Sequence, residues 1–283
     1  MNVTLSRDEI SSETYLGVAA VVALVALSAA VSTIAPAPKL LVISWVAFGA
    51  MAGGAVLGMR ARNEHPRGMV WGYGLAAGAM VTSAALFLIP QATNADPRYG
   101  GLGVAIGLLV GFAGHTIGHR LTHLELPMDR TVAELTAHAL SAGIIIGVVY
   151  AAMPDLGPLL GLAIVSHKGP AGYAAARRLV RSDRSVAPIL LPAAGVGLAA
   201  LAVSMIGGPT DGNVQAVVFG FAAGTFLHVA MDFLPRCETG SEIHDHVAHQ
   251  HDDDHALLDR LRIHAVVSTG IGATLVYLAW VAV

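Results

Sequence analysis

Charge and cysteine are both scarce in this sequence. Only 12% of the 283 residues are charged, about half the share found in a soluble domain, and 55% are hydrophobic. A mean hydropathy of +0.66, with 32 glycines placed inside apolar runs, excludes an ordinary soluble protein and predicts a polytopic membrane protein. The single cysteine, Cys237, excludes an internal disulfide framework.

The sequence also lacks the phosphate-binding motif G-x-x-x-x-G-K-[ST]. We therefore expect no pumping driven directly by ATP. Enzymatic activity and nucleic-acid binding are not predicted either. The lipid bilayer is the first partner that the composition implies.

Apolar stretches of about 20 residues predict helices that cross the membrane. The sequence contains nine of them, which predicts an all-α, polytopic membrane helix bundle. They cover residues 15–36, 39–59, 68–90, 100–119, 132–153, 156–180, 186–206, 213–235 and 263–283. The stiff segment APAPK follows the first stretch. We therefore expect residues 1–37 to form a tail and an extra helix, and residues 38–283 to form a core of eight helices.

Arginine and lysine predict the orientation of the chain. With the N-terminus in the cytoplasm, thirteen of the sixteen basic residues lie in cytoplasmic segments. Only Lys39 and Arg98 lie outside, and Lys168 falls within a span. Cytoplasmic segments of membrane proteins carry such an excess. The prediction is a multi-pass protein of the cell (plasma) membrane, with its N-terminus in the cytoplasm and its C-terminus outside.

Small residues recur four apart within several spans, a spacing that lets two helices approach closely in lipid. The pattern predicts a tightly packed bundle rather than a loose ring around a wide pore. The sets are Gly49 and Gly53; Gly103, Gly107 and Gly111; Gly143 and Gly147; Gly220 and Gly224.

An ionisable side chain inside the membrane usually faces the bundle interior and indicates a pathway. In the fifth span, Glu134, His138 and Ser141 follow at intervals of four and three residues and share one helical stripe. An imidazole beside a carboxylate is a reasonable half-site for zinc, iron or nickel. The alternative is a core histidine bonded to a neighbouring helix.

The sixth span carries His167 and Lys168, followed by Pro170. A proline bends a helix and frees a carbonyl, here that of Ser166, which can face an ion or water. His167 is thus a candidate ligand from a second helix. The ammonium of Lys168 cannot be a ligand. It either substitutes for a cation beside His167 or pairs with Glu134 or Asp232 to hold helices together.

Three further regions carry histidines. His228 and Asp232, four residues apart, form either a weak second metal site or an interfacial pair near the cytoplasmic end of the eighth span. The fourth span ends in a histidine repeat that is either a metal-handling face or a solvated helix end. The segment 237–259 is rich in histidine and aspartate, and such tracts commonly bind metal; the alternative is a soluble charged loop. The fourth-span repeat comprises His115, His119 and His123.

Two motifs resemble those of the ZIP-type metal transporters. His138-Ala-Leu-Ser-Ala142-Gly143…Gly147 resembles the family pattern H-x-x-x-[DE]-G-x-x-x-G, and His167-Lys-Gly-Pro-Ala-Gly resembles H-K-x-P-[EA]-G. The stretches FGFAAGTFLHVAMDFLP and AAGAMVTSAALFLIPQA are similar to the seventh and second core helices of the family. The resemblance covers about residues 40–283. It implies a ZIP-like core of eight helices plus one N-terminal helix.

The chain departs from the family pattern at the acidic positions. Ala142 and Ala171 stand where the family has metal-binding acids, and Gln91 replaces a glutamate. A two-metal carboxylate centre is therefore not expected. The resemblance implies a single site built on His138 and His167, whose binding should weaken as imidazoles are protonated.

We therefore predict an inward transporter of a divalent metal, with Zn²⁺ preferred and Fe²⁺, Mn²⁺ or Cd²⁺ as other candidates. The resemblance also implies a homodimer. The alternative is a metal-sensing or scaffold membrane protein that keeps the fold without transport. The candidate metal residues are His138, His167, Ser141, Glu134, His228 and Asp232.

Overall fold

The computed structural model describes residues 12–34, 36–61, 66–121, 128–152, 161, 167–207, 211–238 and 254–282. All regular structure within them is helical. The α-helices are α1 (Ser12–Ile34), α2 (Pro38–Arg60), α3 (Pro66–Ser83), α4 (Ile89–Ala95), α5 (Pro97–Leu121), α6 (Arg130–Ala152), α7 (Lys168–Arg181), α8 (Leu190–Ile206), α9 (Gly212–Glu238) and α10 (Asp254–Val281). A π-helical turn joins α3 to α4 at Ala84–Leu88, and a 3₁₀ turn, Ala187–Ile189, precedes α8.

Seven helical stretches in this part of the chain are long and apolar enough to cross a membrane. They are Ser12–Ile34, Pro38–Arg60, Val70–Ala95, Thr131–Ala152, Ala187–Ile206, Gly212–Met231 and Asp259–Val281. They coincide with seven of the nine predicted spans, which confirms the polytopic helical bundle.

The other two predicted spans are described in part. Helix α5 has 25 residues and contains the predicted span 100–119, although it is not among those seven stretches. For the predicted span 156–180, the structure describes Gly161 and the 14-residue helix α7, while 153–160 and 162–166 lie outside the described residues.

Aspartate side chains cap three of the helices. Asp129 accepts the backbone N–H of Thr131 at 2.8 Å and begins α6. Asp96 and Asp211 do the same for α5 and α9, each accepting two N–H groups at 2.8–3.0 Å. A cap of this kind stabilises a helix by about 1 kcal/mol. Asp129 therefore stabilises the start of α6, the helix that carries His138.

The helices pack as two bundles. The first bundle contains α1, α2, α6, α7 and α8, in which α6 packs along α8 and α2 packs along α7. The second bundle contains α3, α4, α5, α9 and α10, in which α5 packs along α9 and α3 packs along α10. Contact between the bundles is much sparser and lies mainly where α6 meets α9 and α7 meets α3. The candidate site lies at this junction.

Glycines allow the close helix pairs within each bundle. Gly143 and Gly147 of α6 lie against the backbone of α8, so a side chain at either position would collide with it. Gly103 and Gly107 of α5 lie in the same way against the backbone of α9. The described residues do not support the prediction for Gly49 and Gly53, since no described atom lies within 4 Å of a Cβ built at either position. A spacing of four residues does not say which face of a helix meets a neighbour. The glycines of α2 that lie against the backbone of α7 are Gly54 and Gly58, and Gly54 directly follows the predicted Gly53.

The π-helical turn has an identifiable cause. Pro90 has no N–H with which to bond the carbonyl of Leu86, and its ring clashes with a regular helical turn there. The backbone widens instead, and the N–H of Ile89 bonds the carbonyl of Ala84, five residues earlier. The widened turn lies just beyond Met80, which faces the candidate site from α3.

Some predictions fall outside the described residues. Most of the segment 237–259 does so, because residues 239–253 are not described, and so does His123. His115 and His119 belong to α5, but their side chains are not described. The division into residues 1–37 and 38–283 stays a prediction; within the structure, α1 packs mainly on α8.

Candidate functional site

Helix α6 presents two different faces to its surroundings. Ala139 and Gly143 pack against α8, and Ala139 is fully buried. His138, Ala142 and Ile145 share the adjacent face, since residues four and three apart line up along a helix. The close packing of α6 on α8 therefore holds His138 on the side that faces the second bundle.

His167 precedes the first residue of α7 and serves as its N-cap residue, with φ −79° and ψ −9°. Its carbonyl accepts the N–H of Ala171 at 3.0 Å, while its side chain makes no capping hydrogen bond. Pro170 lies in the first turn of α7, where a missing N–H costs no helical bond. The helix thus begins at the site, and the His167 ring is directed elsewhere than at the helix end.

The two rings face each other. The Nε2 atoms of His138 and His167 lie 3.2 Å apart, and the ring centroids are 5.4 Å apart with the planes inclined by 65°. His167 is only 2% exposed. Two imidazole nitrogens that bind one tetrahedral zinc at about 2.0–2.1 Å lie about 3.3 Å from each other. The observed separation is therefore close to the one that a shared metal ion requires, and it is also that of a direct hydrogen bond between the two rings.

A cavity of about 30 Å³ lies beside this pair. A cavity that size has room for an ion and a water molecule. From the first bundle it is lined by His138, Ser141, Ala142, Ile145 and His167, and from the second by Met80, Thr225, Phe226 and Val229. The site therefore lies between the two bundles and takes side chains from both.

The other predicted ligands lie in different places. Ser141 lines the cavity, with its hydroxyl donating to the carbonyl of Ala137 at 2.9 Å. Glu134, one turn before His138, has an exposed side chain and is not among the lining residues. His228 is half-buried on α9, and its ring lies against Gly111 of α5. Asp232 belongs to α9, but its side chain is outside the described part of the structure.

Lys168 follows His167 and is 1% exposed. Its Nζ atom has no hydrogen-bond partner among the described residues. The predicted pairing with Glu134 is therefore not formed, while the other predicted partner, Asp232, has a side chain outside the described part of the structure. A basic side chain buried beside two imidazoles adds no negative charge to the site.

Sequence reasoning missed two cavity residues from the second bundle. Met80 is fully buried on α3 and is one of the residues that line the cavity. Thr225 of α9 brings a hydroxyl, which donates to the carbonyl of Phe221 at 2.9 Å. No signal in the sequence separates Met80 from the apolar residues around it. Thr225 directly follows Gly224, where α9 packs closely on α5. This position is the only sequence feature that distinguishes Thr225 from other residues of the span.

The described donors are chemically neutral. Two imidazoles, one thioether and two hydroxyls line the cavity, and none of its described lining residues is a carboxylate. Among the described residues, no group of three or more histidine, cysteine, aspartate or glutamate side chains is placed to hold a metal. Such a donor set favours transition metals over Mg²⁺ or Ca²⁺, which prefer oxygen ligands.

Comparison with known proteins agrees with the motifs. The chain is 31% identical over 195 residues to the zinc transporter ZIP2 of Homo sapiens. That match covers 62% of this chain and 59% of the length of that relative. No protein-family model matches the chain. The chain is therefore similar to a ZIP-type zinc transporter over 62% of its length, and it spans less than two thirds of that relative, in agreement with the two histidine motifs.

Proposed function

We propose that the chain is a membrane transporter of a divalent metal cation, with zinc as the principal substrate and Fe²⁺, Mn²⁺ and Cd²⁺ as others. The observation that carries this proposal is the 3.2 Å approach of the His138 and His167 Nε2 atoms beside an interior cavity. The similarity to a zinc transporter supports it. The role is transport rather than enzymatic catalysis.

In this proposal the metal is held at one site. His138 and His167 supply the nitrogen ligands, and Ser141 and a water molecule complete the shell. Neutral donors bind a dication weakly, which suits transport because the ion must also leave. His228 and Asp232 are proposed contacts on the path towards the cytoplasm, and Glu134 a contact at the end of α6. The family similarity further leads us to propose inward transport.

The arrangement in the cell is also a proposal. The distribution of arginine and lysine supports a plasma-membrane protein with a cytoplasmic N-terminus and an external C-terminus. We propose an extra helix within residues 1–37, a ZIP-like core at 38–283 and a metal-binding cytoplasmic loop at 237–259. The functional unit is proposed to be a homodimer.

The test is uptake of labelled zinc into proteoliposomes that contain the full chain. We expect flux well above that of empty vesicles, and loss of this flux in the double variant His138→Ala with His167→Ala. Deletion of residues 241–255 should reduce uptake without abolishing it. The site assignment is wrong if the loop deletion silences transport and the double variant does not.

A second candidate function is a metal-sensing or scaffold protein that does not transport. The alanines at positions 142 and 171 favour it, because they remove the acids that the family motifs carry. This candidate predicts metal binding to the loop and no flux above empty vesicles. The same uptake experiment therefore separates the two functions.

A further inference from the structure

Helices α3 and α10 pack side by side in the second bundle and run in the same direction. Trp71 of α3 lies beside His264 of α10, and the ring centroids are 6.2 Å apart. Gly74, three residues later, lies against Ser268, so the contact advances along both helices together. Residues that are one turn before Trp71 and His264 therefore lie at the same end of the helix pair.

Those positions are occupied by Arg67 and Arg260, and both side chains are exposed. The membrane-crossing stretches of the two helices begin close by, at Val70 and Asp259. The two arginines therefore lie where the helices leave the hydrocarbon region, and both are permanently charged. The carboxylate of Asp259 forms an ion pair with Arg262 at 3.0 Å. In the proposed orientation this end of the pair faces the cytoplasm, where the membrane surface carries anionic lipids.

The hydrogen bond between Trp71 and His264 fixes the state of the imidazole. The indole N–H donates to Nδ1 of His264 at 3.2 Å. An indole can only donate, so Nδ1 accepts, and the proton of the neutral ring is on Nε2. His264 is half-buried and lies one turn deeper in the membrane than Arg260. The ring therefore supplies a donor below the level of the arginines, where the ester carbonyls of a phospholipid lie.

Apolar side chains continue the same stripe of α10 towards the centre of the bilayer. Val267 and Ile271 follow His264 at intervals of three and four residues, and they are 43% and 40% exposed. The backbone of Leu75, on α3, lies against Gly272 in the same part of α10. This flank of the helix pair is therefore charged at the membrane surface, polar one turn below and apolar deeper still. A phospholipid has its groups in the same order.

We infer that this flank of α3 and α10 binds one anionic phospholipid. Arg67 and Arg260 contact its phosphate, His264 donates to an ester carbonyl, and Val267 and Ile271 contact an acyl chain. A free phosphate would use the arginines alone, so the exposed apolar stripe favours a lipid. The assignment to the cytoplasmic leaflet rests on the proposed orientation. The inference goes beyond the proposed transport, and its five residues are separate from those that line the cavity.

The experiment measures lipid binding to the full chain, purified in detergent and stripped of lipid. The protein is titrated with phosphatidylglycerol or with phosphatidylcholine of the same acyl chains, and native mass spectrometry gives the affinity for the first lipid bound. The wild type should prefer phosphatidylglycerol by about tenfold or more, since each basic residue near anionic headgroups is worth about fivefold in affinity. Inorganic phosphate at the concentration of the lipid should not displace it.

Two double variants that remove equal charge test the position of the site. Arg67→Gln with Arg260→Gln should reduce the preference to about twofold or less. The matched control, Arg60→Gln with Arg178→Gln, removes two exposed arginines of the first bundle and should keep the preference. Arg67→Lys with Arg260→Lys keeps the charge and should retain most of the preference, which separates loss of charge from misfolding.

A further variant tests the imidazole. His264→Phe keeps a ring and removes the Nε2 donor, and it should weaken both lipids several-fold, because both carry ester carbonyls. Four results would overturn the inference. They are equal affinity of the wild type for the two lipids, equal losses in the two glutamine variants, unchanged lipid binding in His264→Phe, and displacement of phosphatidylglycerol by inorganic phosphate, which would indicate a site for soluble anions.

Discussion

The two sides of the cavity present different chemical groups to an ion. The side formed by α6 and α7 carries both imidazoles, which come from His138 and His167. The side formed by α3 and α9 carries one thioether and one hydroxyl among apolar side chains. In the proposed function, the first side therefore holds the metal, while the second closes the cavity with mainly apolar side chains. Variants on the two sides should differ accordingly.

The largest effect should follow loss of one imidazole. His167→Ala is expected to lower zinc affinity by about a hundredfold or more, because even an outer partner of a metal ligand is worth about 10–100-fold. Isothermal titration with zinc measures the change. The control is His264→Ala, which removes a histidine outside the cavity that accepts a hydrogen bond from Trp71 at 3.2 Å. An equal loss in both variants would contradict the assignment.

The next effect comes from the packing that orients His138. Gly143→Leu forces a side chain against the backbone of α8, and overpacking of this kind costs about 1–3 kcal/mol. The resulting displacement of α6 should lower zinc uptake about tenfold, because about 1.4 kcal/mol of free energy corresponds to a tenfold change in an equilibrium constant. Gly49→Leu is the matched control, since no described atom lies within 4 Å of a Cβ there. If both substitutions lower uptake equally, packing at Gly143 does not position the site.

The smallest effect is expected at the hydroxyl of the second bundle. Thr225→Val keeps the shape and removes the oxygen, and zinc affinity should change by no more than about threefold, since that hydroxyl already bonds the carbonyl of Phe221. Thr225→Ser should match the wild type. A loss of about a hundredfold in Thr225→Val, measured in the same titration, would mean that the second bundle also holds the metal.

The sequence predicted more of the first bundle than of the second. His138 and His167 fall at identifiable motif positions, and histidine is rare enough within spans to stand out. Met80 belongs to a helix that is apolar on every side, so periodicity could not reveal which of its residues faces a cavity. Likewise, the spacing of Gly49 and Gly53 matched a packing pattern, but only the structure shows that the meeting face of α2 includes Gly54 and Gly58.

The start of α7 is a second place where the structure differs from the sequence prediction. The sequence predicted one apolar span through His167, yet the described helix α7 begins at Lys168 with His167 as its N-cap residue. Hydropathy counts apolar residues and does not register where helical hydrogen bonding starts. Pro170 was predicted to bend the helix, and it lies instead in the first turn, where proline is tolerated.

The central claim is best tested by locating a bound metal directly. Crystals of the full chain soaked in zinc should give anomalous density between His138 and His167, about 2.1 Å from each Nε2 atom. Anomalous density at another place, with the two rings still within hydrogen-bond distance of each other, would contradict the account.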